Sequence, residues 1–135
     1  MLRKRLLFAS IENSCRSQMA EAFARKLAKK KIEIYSAGAR PSFKVDLNAI
    51  KVMEELDIDI SAKKPKRFNQ LPVKRFDYVV RLGHQGICLS VLTERLIEWN
   101  IEDPKGKDLD FYRKIRDKIK QNVEELIKEI LQERI

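Results

Sequence analysis

The stretch that most constrains the fold lies near the start of the chain, at residues 7–21, LFASIENSCRSQMAE. An apolar run typical of a buried strand passes through a short polar loop into a helical pattern. The N–H groups of such a loop, together with the positive end of the following helix, favour a bound oxyanion. Arg16 adds a permanently charged fork suited to phosphate-like oxygens. The sequence therefore predicts an anion site formed by Ile11, Glu12, Asn13, Ser14, Cys15 and Arg16.

Short apolar runs alternate with helical patterns along the rest of the chain, as in β-α-β units around a parallel sheet. With 135 residues the chain is long enough for one domain, residues 1–135. We expect an α/β three-layer sandwich, with a four-stranded parallel sheet and helices on both faces. The strands are predicted at residues 5–10, 32–36, 76–82 and, more weakly, 96–99, and the helices at 18–30, 46–57 and 108–133.

Several local features mark where these elements begin and end. Ser17 and Asp46 are predicted to cap the first two helices. Ala37 and Gly38 are predicted to end the second strand, and residues 61–69 are predicted as a loop. The buried side of the first helix is predicted to carry Met19, Ala20, Phe23, Ala24 and Leu27.

Basic residues outnumber acidic ones, and the formal net charge is +9. Most of them are interleaved with Glu and Asp on predicted helices, except at residues 29–31 and 63–67. Solvated faces are the favoured interpretation, and a basic rim that steers an anionic substrate or a nucleic-acid surface are alternatives. Two cysteines indicate a reducing compartment, and the N-terminal apolar run is too short for a signal peptide or a membrane span. We therefore expect a cytoplasmic protein with no membrane partner.

Three polar segments follow predicted strands: residues 10–16, residues 83–88, and Asp103 with Pro104. Ligands of open parallel sheets bind beyond the carboxyl ends of the strands. We therefore expect these three segments to lie close together.

Five segments of the chain carry a resemblance to a known family. They are NSCRSQMAEA at 13–22, YSAG at 35–38, IDIS at 58–61, FDYVV at 76–80 and WNIEDP at 99–104. Together they are similar to the low-molecular-weight tyrosine phosphatase superfamily, and most of all to its thioredoxin-coupled arsenate reductases. They occur in the family's order and are spread across nearly the whole chain.

The resemblance implies catalytic roles for four residues. In the family a cysteine begins the loop, and its thiolate attacks phosphate or arsenate. Ser10 occupies that nucleophile's position here. Arg16 is implied as the oxyanion clamp, Ser17 as the supporting hydroxyl and Asp103 as the general acid. A turn-initiating role before Pro104 is the alternative for Asp103.

The resemblance also implies loop-support and redox residues. Asn13, Glu21 and Ser36 match residues that steady the loop and that bind potassium in some arsenate reductases. An acidic partner is missing near Lys66, so we predict no metal or other cofactor and do not favour a potassium site. In the cysteine relay of the reductases, His84 replaces the first thiol and Cys88 keeps the second. A thioredoxin partner would require that relay to be intact.

Ser10 and Glu12 depart from the family's loop. A serine hydroxyl stays protonated near neutral pH and is a poor nucleophile, which predicts little or no turnover. The serine is explained by natural divergence or by an engineered substitution in an active enzyme. Glu12 would repel an anion unless it points away. Cys15 is interpreted as a buried apolar residue. A module that binds a phosphorylated side chain without cleaving it is a further alternative.

Overall fold

The fold is that of a computed structural model and is described for residues 2–83 and 89–133. Strands and helices alternate along the described chain in the way that the hydrophobic patterns predict. The elements are β1 (Lys4–Ser10), α1 (Arg16–Ala28), β2 (Ile32–Gly38), α2 (Leu47–Glu54), a 3-10 helix (Phe68–Gln70), β3 (Arg75–Leu82), β4 (Leu92–Trp99) and α3 (Leu109–Gln132).

The strands form a parallel sheet in the order β2-β1-β3-β4. β1 is flanked by a strand on each side, and its residues from Leu6 to Ser10 are all buried. This position explains why the β1 sequence is almost continuously apolar. The register aligns Ser10 with Gly38 and Ala9 with Arg81. The loop that follows β1 therefore leaves the middle of the carboxyl edge of the sheet.

The two faces of the sheet are covered differently. Leu6 and Phe8 belong to a large buried cluster to which α1, α2 and α3 contribute. Leu7 and Ala9 point to the other face and pack with Phe68 of the 3-10 helix. Among the described residues, the three α-helices all join the first cluster. The predicted α/β fold class with a four-stranded parallel sheet is confirmed, and the helix on the second face of the sheet is the 3-10 helix Phe68–Gln70 rather than an α-helix.

Helix α1 begins earlier than the sequence predicts. It runs from Arg16 to Ala28 rather than from residue 18 to 30, and it ends at Lys29 in the left-handed conformation. The prediction that Ser17 caps this helix is wrong, because Ser17 lies in its first turn and its hydroxyl bonds to other buried side chains. Leu27 is 38% exposed, so it lies at the border of the buried face rather than within it.

Other element boundaries shift for local reasons. β2 continues through Gly38, and α2 ends at Glu54, after which Asp57 adopts a positive φ of 61° that closes the helix in a turn. β4 begins at Leu92, four residues before the prediction, because an edge strand without buried residues gives a weak apolar signal. The Asp46 side chain accepts from the amides of Asn48 and Ala49 and caps α2 as predicted.

Helix α3 is the longest element and the most clearly amphipathic. Its apolar stripe is buried except for Phe111, which is only half-buried against the main cluster. Arg116 of α3 donates to the Val52 carbonyl near the end of α2 and pairs with Glu55, which joins the two helices. Among the residues that the structure describes, no helix is long and apolar enough to cross a membrane.

Candidate oxyanion site

The loop between β1 and α1 is held from outside by the segment that follows β2. The amides of Arg40, Ser42 and Asp46 donate to the carbonyl oxygens of Ile11 (2.8 Å), Glu12 (2.9 Å) and Ser14 (2.9 Å), respectively. Gly38 lies directly beside the loop, where a Cβ atom would approach the Ile11 carbonyl to 2.7 Å. A larger residue there would push the loop out of place. The shape of the loop therefore depends on residues well beyond it in the sequence.

Five buried polar side chains form one hydrogen-bonded network beneath the loop, which we term the floor. The Ser10 and Ser17 hydroxyls lie 2.6 Å apart. The Asn13 amide nitrogen donates to Ser17 (2.8 Å) and to Ser36 (3.0 Å), and the Ser36 hydroxyl donates to Glu21 (2.6 Å). All five residues are at most 3% exposed. Asn13 has a φ of 52°, a conformation that asparagine tolerates better than most residues.

Ser10 lies where the floor meets the loop. Its hydroxyl accepts from the backbone N–H of Asn13 at 3.1 Å and bonds to the Ser17 hydroxyl. Both partners can donate to an oxygen or a sulfur that carries negative charge. Neither a hydroxyl nor a backbone amide is a base that could remove the serine proton near neutral pH. The surroundings of Ser10 would thus stabilise an anion at this position without generating one from serine.

Arg16 extends from the first turn of α1 towards the loop that follows β4. It is 7% exposed, donates through Nη1 to the Ile101 carbonyl at 2.8 Å, and places Nη2 3.8 Å from the Asp103 carboxylate. Gly83 packs against it: a Cβ atom there would lie 2.2 Å from Nη1. The φ of Gly83 is +102°, which side chains rarely adopt. The guanidinium is therefore held by the loop that follows β4 and by a glycine at the end of β3.

The entrance to the site carries three charged side chains, Glu12, Asp103 and Lys105, which we term the rim. The Lys105 ammonium lies 3.4 Å from one Glu12 carboxylate oxygen. Asp103 accepts from the Lys105 backbone N–H at 3.1 Å, so it also forms the turn that the Asp-Pro sequence indicates. Together with loop atoms, Arg16 and Asp46, the rim lines a pocket of about 80 Å³.

Sequence reasoning missed two residues that line this pocket, Asp46 and Lys105. Asp46 was assigned only to a helix cap, yet its second carboxylate oxygen also accepts from the Tyr112 hydroxyl at 2.7 Å. The sequence shows that Asp46 directly precedes a helix, but it does not show that Asp46 lines the pocket. Lys105 is separated from Glu12 by 93 positions, and no local pattern connects them.

Cys15 lies in the anion loop but packs its side chain into the main core cluster and is 6% exposed. Burial raises the pKa of its thiol well above the usual value, and the nearby carboxylates of Asp46 and Asp103 raise it further. Arg16 acts in the opposite direction but does not reverse the shift. Near neutral pH, Cys15 is therefore a protonated thiol.

The comparison with protein families matches residues 5–135 to "Low molecular weight phosphotyrosine protein phosphatase". The chain belongs to the low molecular weight phosphotyrosine protein phosphatase family. The chain is 38% identical over 130 residues to a glutaredoxin arsenate reductase from Synechocystis, and the match covers 94% of this chain and 98% of the relative. An arsenate reductase from Bacillus cereus is 35% identical, with 90% of this chain and 92% of that protein covered.

A solved arsenate reductase of the same fold, described as being in the phosphate binding state, superposes with a TM-score of 0.85. It is 38% identical, and the match covers 94% of this chain and 98% of that one. These findings confirm the resemblance drawn from the five sequence segments. They also show that a relative of this family with the same architecture holds phosphate.

The potassium site of some arsenate reductases of the family does not fit the residues present. The Asn13 side-chain oxygen accepts from the Lys66 backbone N–H (3.0 Å) and from Gln18 (3.1 Å). One Glu21 oxygen pairs with Arg25 at 2.8 Å, and the other accepts from Ser36. N–H and O–H donors thus occupy the oxygens that a cation would need. Across residues 2–83 and 89–133, no three His, Cys, Asp or Glu side chains gather as a metal site.

Two of the three segments expected to meet at the sheet edge do so. Residues 10–16 and Asp103 line one pocket. Of the segment 83–88, only Gly83 belongs to the described residues, and it lies against Arg16. His84 and Cys88, the remnant of the family's redox relay, lie outside the described residues. Their assignments stay predictions from the resemblance.

Proposed function

We propose that this family member binds a tetrahedral oxyanion, such as phosphate, arsenate or sulfate, in the loop of residues 10–17, and that it turns over little or none of it. The observation that carries the proposal is the position of Ser10. Its hydroxyl accepts from a loop N–H and shares a hydrogen bond with the Ser17 hydroxyl, where the family uses a thiolate. Arg16 supplies the guanidinium at the same pocket.

The size of the pocket supports a small inorganic ligand. Its volume is about 80 Å³. A phosphate or arsenate ion is of that order, whereas the aromatic ring of a phosphorylated tyrosine would have to lie outside, at the rim. The pocket therefore accepts a free oxyanion or a phosphoryl group, and the two are separated by the titrations below.

The loss of turnover follows from the chemistry of serine. Phosphoryl or arsenate transfer in this family begins with attack by a thiolate, and a neutral hydroxyl without a base is a far weaker nucleophile. Arsenate reduction also needs thiols, because the two electrons come from conversion of a thiol pair to a disulfide. Ser10 cannot take part in that oxidation, and the protonated thiol of Cys15 does not replace it.

Isothermal titration with inorganic phosphate and with arsenate tests the binding. We expect a saturable one-site curve that Arg16→Ala abolishes, because Arg16 is the buried cation of the pocket. Arg75→Ala is the matched control, since Arg75 is an exposed arginine at the other end of the sheet. The proposal fails if the unchanged protein does not bind, or if Arg16→Ala binds as tightly as Arg75→Ala.

The Ser10→Cys variant tests the origin of the lost activity. Natural divergence predicts that this variant hydrolyses an aryl phosphate poorly, because Glu12 and His84 also depart from the family. Full turnover would instead support an active enzyme in which the serine was introduced. Titration of a phosphopeptide and its unmodified form tests the third alternative, and a strong preference for the phosphopeptide over free phosphate would favour it.

A further inference from the structure

The anion loop of this chain contains a carboxylate, Glu12, at a position where negative charge opposes the binding of an anion. Glu12 does not point away from the site: its side chain lines the pocket and is 39% exposed. Lys105 approaches it from the opposite side of the entrance, with its ammonium 3.4 and 3.5 Å from the two carboxylate oxygens. The structure thus pairs the unfavourable carboxylate with a lysine that also lines the pocket.

The backbone holds Lys105 in this place. Its N–H donates to the Asp103 carboxylate, and the Lys107 N–H donates to the Pro104 carbonyl at 2.9 Å, which makes residues 103–107 a closed turn. The turn is attached to the loop through Arg16, which contacts both Ile101 and Asp103. The lysine side chain, in contrast, is 67% exposed and only weakly fixed by its partner.

We propose that Lys105 is the second cationic group of the oxyanion pocket, and that Glu12 holds it at the entrance while the pocket is empty. The inference rests on the proposed function. An entering oxyanion repels Glu12 and attracts the ammonium, so Lys105 exchanges its carboxylate partner for the ligand. A lysine suits this exchange because its charge is compact and lies on a flexible stem, whereas Arg16 is buried and fixed.

This pairing explains how the chain tolerates an acidic residue in an anion loop. Glu12 neutralises the charge of Lys105 at the entrance while the pocket is empty. It also lowers the affinity that Lys105 adds when the oxyanion is bound. The two side chains are therefore coupled: the effect of Glu12 on affinity depends on the presence of Lys105. A purely structural ion pair between two loops would not produce that dependence on ligand binding.

The experiment is isothermal titration of the full chain with inorganic phosphate at low and at high salt. Lys105→Met is expected to weaken binding about five- to tenfold at low salt, and less at high salt, where charge interactions are screened. Lys107→Met is the matched control: this lysine lies in the same turn but above the Phe111 ring, and it is expected to change affinity less than about twofold. Lys105→Arg, which keeps the positive charge, is expected to bind phosphate nearly as tightly as the unchanged protein.

The coupling is tested with Glu12→Gln and with the double variant. Glu12→Gln is expected to tighten phosphate binding about two- to threefold in the presence of Lys105. In Lys105→Met the same substitution is expected to tighten binding less, because no ammonium has to leave the carboxylate. Equal affinities for Lys105→Met and Lys107→Met would overturn the inference while leaving the proposed function standing if Arg16→Ala still abolishes binding. An unchanged protein that binds no phosphate would overturn both.

Discussion

The floor and the rim of the pocket are built from different kinds of interaction. The floor consists of buried side chains joined by hydrogen bonds of 2.6–3.0 Å, and its one carboxylate, Glu21, is paired with Arg25. The rim consists of charged side chains that are 39–67% exposed and paired at 3.4 to 3.8 Å. The floor determines the shape of the loop, and the rim modulates the charge that an approaching anion meets.

This difference sets the order of mutational effects. Removing one partner of a buried hydrogen bond leaves the other unsatisfied, at a cost of about 1–3 kcal/mol. Removing one partner of an exposed ion pair changes stability by about 0–1 kcal/mol and acts mainly on charged ligands. Changes in the floor should therefore affect both stability and binding, whereas changes at the rim should affect binding alone.

The largest effect is expected from Asn13→Ala. The Asn13 side chain donates to Ser17 and Ser36 and accepts from Lys66 and Gln18, so its removal leaves several buried groups unsatisfied. Alanine also tolerates the positive φ less well than asparagine. We expect a loss of about 2–4 kcal/mol in the free energy of unfolding and no detectable phosphate binding. Urea denaturation and titration measure the two quantities.

Asn69→Ala is the control for that variant, since Asn69 is an exposed asparagine in the 3-10 helix. It should unfold and bind like the unchanged protein. If Asn13→Ala were as stable as Asn69→Ala, the floor would not be the rigid part of the site, and its contrast with the rim would disappear.

An intermediate effect is expected from Gly83→Ala, which tests how far Arg16 belongs to the rigid part. The new Cβ would lie 2.2 Å from Arg16 Nη1, so the guanidinium must move. We expect phosphate affinity to fall at least about tenfold, since a displaced guanidinium no longer lies at the pocket. Titration gives the affinity, and urea denaturation gives the accompanying loss of stability.

Gly106→Ala separates the contact from the backbone strain. Gly106 also has a positive φ, +85°, but nothing lies within 4 Å of its Cβ position. Both substitutions should cost about 1 kcal/mol through the backbone, and Gly83→Ala should lose more phosphate affinity than Gly106→Ala, which disturbs only the turn that carries Lys105. Similar losses of affinity in both variants would mean that Gly83→Ala acts through backbone strain and not through displacement of Arg16.

The elements that were predicted well are those whose signal is local. β1 is buried on both faces and α3 buries one stripe, so their composition reports their environment directly. β4 was half missed because none of its residues is buried at the sheet edge. The loop and its arginine were identified from one contiguous segment, since strand, loop and helix follow one another in the chain.

The details that were missed depend on contacts between distant residues. Serine is a residue type that often caps helices, but Ser17 is buried beside Ser10 and Asn13, and its hydroxyl bonds to their side chains instead. The pairing of Glu12 with Lys105 joins two loops that only the sheet brings together. Local preference identifies which residue types are present, whereas the tertiary fold determines which of their possible partners they meet.

The smallest effect is expected from Asp103→Asn at the rim. The substitution keeps an oxygen that can accept from the Lys105 N–H, so the turn should persist. It removes a negative charge 3.8 Å from Arg16, at the entrance to the pocket. We expect phosphate affinity to rise about twofold at low salt and to match the unchanged protein at high salt. Urea denaturation should show a change below about 0.5 kcal/mol.

Glu102→Gln is the matched control for this variant, because Glu102 is an exposed neighbouring carboxylate that does not line the anion pocket. It should leave phosphate affinity unchanged at both salt concentrations. A fall in affinity in Asp103→Asn would mean that Asp103 contacts the bound anion as a proton donor, in the manner of the family's general acid. The rim would then share the fixed geometry of the floor, since a hydrogen bond to the ligand requires a defined position, whereas a screened charge does not.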